Sequence, residues 1–547
     1  MSEAGKKQNF LHGAALLAMA TAVVKLIGAL YKLPLKMAIG DQGYSYFTTA
    51  YDIYSVLLLI STAGLPVAVS RMISQASTLG HYNRLRKIFK TALTIFAVIG
   101  VVSTLLMMVG AKSLANLMNQ PDAWISIACL GPCGLLICLM SAYRGYFNGQ
   151  GNMVPTSVTQ VIEALGKLAV GLALAFTIIH FTGSVAMAAG GAIIGVTIGS
   201  VLALVYMLAK FRRSYKKLPH TQEEAGTTGA TAKAILAIAI PITIGSAGLQ
   251  LLTVIESGLY MDRLVHLIET NQYMGHMVQG TVTAQKAAAT LKGLFNMTQT
   301  IFNMPCAFII PITVSILPAV TSFLTMGDDK GVRDTEESAA RITGLLSLPC
   351  AVGLTVLARP IMALLGGYEG EQLELSAQFM AIQGITVFSY AIIQYTNALL
   401  QSHGHVNEPV INMLGAGVVR LILVWVMVGN PALGLMGAPI GAFIGNMLTA
   451  ALNLITIARK IPQKPKLLQN LLRPGMPALV MGVVVFFCYK GLISLIGIDG
   501  SRIILCGAPI AVGAAVYFVC VVLMKSITHD DCLLLPKGDK IAKLLKL

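Results

Sequence analysis

The chain has 547 residues, of which 56% are hydrophobic and only 11% charged, and its mean hydropathy is +0.75. A soluble domain carries about 25% charged residues, so a soluble globular protein is excluded and a chain that crosses a membrane many times is expected. The net charge of +16 gathers at segment ends, with no basic stripe interleaved with aromatics, so no nucleic-acid partner is expected.

Apolar blocks of about 20 residues, the length a helix needs to cross hydrocarbon, predict fourteen spans in an all-α polytopic fold. They are 10–33, 44–70, 91–111, 123–147, 154–180, 184–210, 234–262, 287–324, 339–364, 374–402, 408–429, 432–458, 475–496 and 502–525. The blocks are continuous rather than alternating, which argues against a β-barrel. The first block is too long for a signal-peptide core and is expected to stay in the mature protein. The eighth carries Pro305, Pro311 and Pro318 and is expected to kink or break, since each proline removes a backbone donor.

Lys and Arg in short loops set orientation. "RLRKIFK" follows the second span, "KFRRSYKK" the sixth and "ARKIPQKPK" the twelfth, and lysines 537, 540, 543 and 546 lie in the tail. All fall on one side, so both termini are expected in the cytoplasm of a bacterial cell, with the chain in its cytoplasmic membrane. The opposite side has few cations, such as Lys36, Lys112 and Arg263. The expected organisation is a tail (1–9), an N-lobe (10–211), a polar linker (212–233), a C-lobe (234–460), and two further helices with a tail (461–547).

The halves repeat. "GLPVAVS" at Gly64 matches "ILPAVTS" at Ile316; Lys167 beyond Gly151 and Pro155 matches Arg420 beyond Gly404 and Pro409; "GAIIG" at Gly191 matches "GAFIG" at Gly441. The offsets are 252, 253 and 250 residues. A repeat of six helices returns to the same side, so the halves are expected to be parallel, and sites in such transporters lie at the repeat interface near the midplane.

Charges inside the spans are costly and mark function. Lys167 lies about 20 Å into its span at 1.5 Å per residue, Arg420 and Lys25 lie at similar depth, Lys292 sits in the outer part of the eighth span and Lys32 near the outer end of the first. The acids are fewer: Asp52, Glu163 and Glu256. Glu163 and Lys167 are four residues apart on one helix face. Mutual neutralisation and a ligand-facing role are both open for that pair. Arg420 has no acid within four residues on its own helix. The balance inside the membrane is positive, which suits an anionic group such as phosphate.

Gln160, Gln250, Asn296, Gln299, Asn303, Gln394 and Asn397 could complete a polar cavity, the sugar-contacting candidates being Gln299, Asn303, Gln394 and Asn397. Interhelical hydrogen bonding is the plainer role for each. The nine cysteines contain no CxxC pair and read as small membrane residues. His403 and His405 make no metal set. No nucleotide loop, HExxH or DDxxD motif is present, so no enzyme activity, metal or organic cofactor is expected.

Two stretches, "KLIGALYKLPLKMAIGDQGYSYFTTAYDIYSVLLLISTAGLPVAVSRMIS" (25–74) and "YRGYFNGQGNMVPTSVTQVIEALGKL" (143–168), resemble the SpoVB/MurJ branch of the multidrug/oligosaccharidyl-lipid/polysaccharide exporter superfamily. The resemblance covers nearly the whole chain. It implies fourteen helices and the flipping of undecaprenyl-pyrophosphate-linked sugars, notably lipid II, by alternating access, with the prenyl tail in a groove formed with the last two helices. It places the branch's first-helix basic positions on Lys25 and near Tyr31-Lys32. Lipid II flippases of the branch carry an acid–arginine pair shortly before a proline in the eighth helix. This chain has "MTQTIFNMP" there, with Gln299, Thr300 and Asn303, and Lys292 two turns earlier.

The expected function is a flippase of a lipid-linked saccharide pyrophosphate, a peptidoglycan or other envelope precursor, with Lys25, Lys32, Lys167, Lys292 and Arg420 on the pyrophosphate. Asp52, Glu163 and Glu256 are the expected charge partners or coupling sites. Coupling to Na+, H+ or the membrane potential stays open, and expected partners are membrane lipids and cell-wall synthesis proteins. The rival readings are a cation-coupled drug exporter, which would depend on Asp52 and Glu163, and a scaffold in envelope or spore assembly, which would depend on the basic loops.

Overall fold

The computed structural model is all-helical among its described residues, which are 3–62, 64–216, 218–219, 227–270, 283–462, 465–497, 500–524 and 526–527. In the long helices the side chains at 3–19, 21–22, 25–26, 29, 60–62, 241–242, 244–249, 310–319, 322 and 325 also lie outside the description. Lys25 and the tail lysines are therefore outside the described residues.

Two compact units divide the chain: Met1–Thr270 with Gly280–Asn296, and Asn271–Gln279 with Met297–Leu547. The first opens with α1 (Glu3–Thr62), which joins the first two expected spans. At Gly40 its backbone takes φ 66° and ψ −178°, a conformation open to glycine because it has no Cβ, and the helix bends there. Then come α2 (Gly64–Thr78), α3 (Tyr82–Val109), α4 (Ala111–Leu117), α5 (Trp124–Gly149), α6 (Val154–Gly166), α7 (Leu172–Thr182), α8 (Val185–Tyr215) and α9 (Thr228–Glu269). The start of α10 (Ala284–Met326) completes the unit.

Lipid tails are as apolar as leucine, so helices in a bilayer associate through close packing and hydrogen bonds rather than hydrophobic exclusion. The first unit shows this. Helix α5 packs against α3 and α8, and α1 against α5, α6 and α8. A Cβ on Gly195 would lie 2.2 Å from Gly171 N, and one on Gly166 would lie 2.4 Å from the Gly199 Cα. The backbones of α8 and the α6–α7 segment touch there. Outward residues such as Val98, Val102, Leu105 and Val109 on α3 are large, apolar and exposed, as a lipid-facing surface requires.

The second unit continues α10 from Met297 and adds α11 (Asp329–Val356), α12 (Ala358–Leu365), α13 (Gly370–Ser402), α14 (Asn407–Val428), α15 (Gly437–Lys460) and α16 (Leu467–Leu472). Its last helices are α17 (Gly475–Ile496) and α18 (Arg502–Leu523). Helix α13 packs between α11 and α15, and α14 lies on α15; α17 and α18 pair and lie on α11 and α12. The backbone of α10 stays helical through Pro305, Pro311 and Pro318, so of the expected kink or break, no break occurs.

Each of the fourteen expected spans falls largely on helix, with Gly110 and Leu357 interrupting the third and the ninth. Eleven segments among the described residues, not fourteen, are long and apolar enough to cross a membrane by length and composition. The first two expected spans share α1, and the seventh and eighth lie on α9 and α10, parts of which fall outside the description.

The repeat is visible in the packing inside each unit. Gly191 lies against Leu174, and Gly441 lies against Val424; Gly195 lies against Val170, and Gly445 against the Arg420 side chain. Every one of these pairs is related to its mate by 250 residues. By packing, Arg420 therefore corresponds to Val170 rather than to Lys167.

Candidate functional site

The first unit holds a cavity of about 490 Å³ bounded by α1, α5, α6, α8 and the turn between α6 and α7. Its polar lining is Arg144, Gln160, Glu163, Lys167 and Ser200, and its aromatic wall is Tyr31, Tyr51 and Tyr54. The rest is aliphatic, including Ile27, Leu58 and Val196.

Lys167 begins a single π-helical turn, Lys167–Gly171. Such turns interrupt α-helices mostly at functional positions. Its ammonium lies 4.4 Å from the Tyr51 ring centre, 4.9 Å from Tyr31 and 5.4 Å from Phe47. All three rings come from α1, and their negative faces hold the cation without cancelling its charge.

Glu163 does not neutralise Lys167: among the described residues no ion pair joins them. Instead Arg144 donates from Nη2 to Glu163 Oε2 at 2.8 Å and to Thr159 Oγ1 at 3.2 Å. Glu163 Oε1 is buried with no hydrogen bond. Among the described residues the cavity has two cations and one carboxylate, and the carboxylate is held by Arg144. A cleft that is mostly apolar and, among the described residues, net positive with Lys167 unmatched by an acid is suited to an anion attached to an apolar body.

The other expected cations are elsewhere. Lys292 is completely buried. It donates to Thr49 Oγ1 and Ser257 Oγ, both at 2.8 Å, and lies 3.8 Å from Asp52 Oδ2. Ser257 also donates to Asp52 at 3.4 Å. Lys292 and Asp52 therefore tie α1, α9 and α10 together and do not line the cavity. Lys32, half-buried on α1, is an electrostatic neighbour of both Lys167 and Asp52 but is not among the lining residues. Glu256 is buried on α9. Arg420 belongs to the second unit, where its stem crosses Gly445 between α14 and α15.

Of the polar candidates, Asn397 accepts from Asn453 Nδ2 at 2.9 Å, and Asn453 in turn accepts from Asn412 at 3.0 Å. This network joins α13, α14 and α15, the packing role. Gln394 is half-buried one turn beyond Tyr390, with which it shares a hydrogen bond. Gln299 is half-buried and Asn303 exposed on α10. His403 has a carboxylate beside it: its Nε2 lies 2.6 Å from Glu336 Oε1. Among the described residues no cluster of three metal-ligating groups exists.

Arg144 was not singled out in the sequence. It lies near the end of its span, where a cation reads as an orientation signal. The clue was the short turn after it, which brings Thr159 and Glu163 of the next helix back to its level.

Its relatives place this all-helical chain among transporters rather than catalysts. The polysaccharide biosynthesis protein family matches residues 10–324, and a lipid II flippase MurJ family matches residues 267–494. The chain belongs to the polysaccharide biosynthesis protein family and is a SpoVB/MurJ-like, lipid-linked-precursor flippase of the multidrug/oligosaccharidyl-lipid/polysaccharide exporter superfamily. It is 24% identical to stage V sporulation protein B of Bacillus subtilis (strain 168), over 97% of this chain and 98% of that protein. It is 23% identical to lipid II flippase MurJ of the same organism, over 94% and 95% of the two chains. Its fold matches a solved lipid II flippase MurJ in an inward closed conformation, with a TM-score of 0.65 at 14% identity, over 95% of this chain and all of that one.

Proposed function

We propose that the chain flips an undecaprenyl-pyrophosphate-linked saccharide, a peptidoglycan precursor such as lipid II, across the cytoplasmic membrane by alternating access. The observation that supports this reading is Lys167, an ammonium caged by aromatic faces and left without an acid, beside Arg144 in a cleft of about 490 Å³. A pyrophosphate would take its charge-assisted bonds from Lys167 and from the Arg144 donors that Glu163 and Thr159 leave open. The aliphatic wall would receive the first isoprene units. Glu163 Oε1, buried without a hydrogen bond, is the place where a coupling proton or Na+ would be taken up.

The test is native mass spectrometry of the purified protein with lipid II and undecaprenyl pyrophosphate, comparing wild type with Lys167→Ala, Arg144→Ala and Arg420→Ala. Retention by wild type, reduced in the first two variants, is the expected result. Retention that none of the three changes would remove the pyrophosphate from this cavity. A flipping assay in vesicles then separates binding from transport. Dependence of transport on Glu163 alone, with Lys167 dispensable, would favour cation-coupled export of another cargo.

A further inference from the structure

The second unit buries an acid that flipping does not use. Glu336, near the start of α11, has a completely enclosed side chain. His403, at the end of α13, places Nε2 2.6 Å from Glu336 Oε1 and is itself only 7% exposed in its side chain. Glu336 Oε2 is buried with no hydrogen bond. Tyr395, two turns before His403, donates to the Glu336 carbonyl at 2.8 Å. Helix α13 is thus docked on one residue of α11 through both backbone and side chain.

The surroundings are apolar. Val332, Ala339 and Ala340 of α11 and Leu399 and Leu400 of α13 are buried in one cluster. Charged groups on the adjoining elements have partners of their own. Glu337 accepts from Lys466 N at 3.1 Å, Arg341 donates to Asn470 Oδ1 at 2.7 Å and to Ser338 Oγ at 2.8 Å, and Glu408 pairs with Lys460. Arg333 is exposed and His405 half-buried. Tyr395 is an electrostatic neighbour of both Glu336 and Glu337.

A carboxylate taken out of water needs a countercharge. The imidazole of His403 supplies one when it carries a proton, and histidine is the side chain that gains and loses its charge near neutral pH. A metal ion does not suit the place: among the described residues no third ligating group joins these two, and Oε2 is closed off from solvent.

We propose that Glu336 and His403 form a proton-binding latch, at the end of the second unit that the lysine–arginine pattern assigns to the cytoplasm. With the proton bound, the ion pair clamps the turn between α13 and α14 onto α11. Without it a bare carboxylate is left buried, and the turn releases so that water reaches the acid. The turn reverses at Gly404, with φ 83°, and the amides of His403, Gly404 and His405 bond back to Leu399, Gln401 and Leu400 in the last turn of α13. Near neutral pH the clamped form holds one proton more than the released form. Clamping therefore strengthens as pH falls and weakens as pH rises. The latch stands whatever cargo the first unit carries.

The experiment is amide hydrogen exchange of the full chain in nanodiscs, read by mass spectrometry. The segment 399–406 is compared with the turn 428–435, which has bonded amides at Gly429 and Gly434 and no titratable side chain. The ratio of the two rates cancels base catalysis. Between about pH 6 and about pH 8 the wild-type ratio is expected to rise, by up to about tenfold per pH unit, the slope for one proton. Glu336→Gln keeps the shape and removes the charge, so its ratio should stay flat. His403→Gln leaves the carboxylate without a cation, so its ratio should be high at both ends of the range. Glu337→Gln should keep the wild-type slope. A wild-type ratio that ignores pH would overturn the proposal. So would a wild-type slope in Glu336→Gln, because the proton would then reside elsewhere, such as on His405. Should His403→Gln fail to fold, wild type against Glu336→Gln decides the matter.

Discussion

Arg144 on α5 and Glu163 on α6 meet at 2.8 Å across the short turn that joins their helices. This contact frees Lys167 from the acid that precedes it by one turn and leaves its charge facing the cavity. The same contact leaves Glu163 Oε1 unbonded, so the carboxylate depends on Arg144 more than a surface acid would.

Replacing Arg144 with alanine is therefore expected to destabilise the protein by about 2 kcal/mol, the worth of hydrogen bonds to a charged group. Arg144→Ala/Glu163→Gln should recover most of that loss, because no buried charge is then stranded. Thermal unfolding in detergent, run as a double-mutant cycle, measures the coupling. Additive effects of the two changes would contradict the pairing.

Lys167→Met should act the other way on stability and function. It removes a half-buried charge and its contacts with Tyr31 and Tyr51, worth about 0.5–2 kcal/mol, so the unfolding temperature should change little. Retention of undecaprenyl pyrophosphate should fall about tenfold, and Lys167→Arg should keep most of it. A variant that binds as wild type would show that the ammonium serves packing alone.

Much of this architecture can be read from the residues alone, because helix length and apolar runs are local properties. The apolar blocks that become helices and the repeat at about 250 residues depend on nothing beyond the chain's own periodicity, although the count of fourteen spans is not reproduced by the eleven segments found among the described residues. Partnership is different. Glu163 has a favourable acid-before-lysine spacing with Lys167, yet an arginine 19 residues earlier in the chain takes it. Lys292 looks like a cavity cation, yet Thr49 and Asp52, more than 200 residues away in sequence, enclose it. His403 meets Glu336 across 67 residues. Asn397, a candidate sugar contact, is engaged by Asn453 of a neighbouring helix. Each outcome was set by which helix packs alongside, which no local pattern encodes.

Packing in the two halves gives a comparative prediction. A Cβ on Gly195 meets backbone, Gly171 N at 2.2 Å, whereas one on Gly445 meets the Arg420 side chain at 2.7 Å. Backbone cannot move aside as a side chain does, so Gly195→Ala should cost more than the 1–3 kcal/mol typical of overpacking and Gly445→Ala less than that mutation. Gly415→Ala, with nothing within 4 Å of the added carbon, serves as the control and should be neutral or stabilising. Expression level and unfolding temperature rank the three; equal effects would mean that the α8 contact relaxes.

Lys292 offers the sharpest separation of scaffold from site. Its three partners, Thr49, Ser257 and Asp52, lie on α1 and α9, and it does not line the cavity. Lys292→Met strands the Asp52 carboxylate, and breaking a buried ion pair by removing one partner costs about 3–5 kcal/mol. Lys292→Met/Asp52→Asn removes both charges and should regain part of that loss while binding undecaprenyl pyrophosphate as wild type does. If the folded double variant instead loses the lipid while keeping its unfolding temperature, the substrate reaches Lys292 in some step of transport, and the ion pair belongs to the pathway rather than to the frame around it.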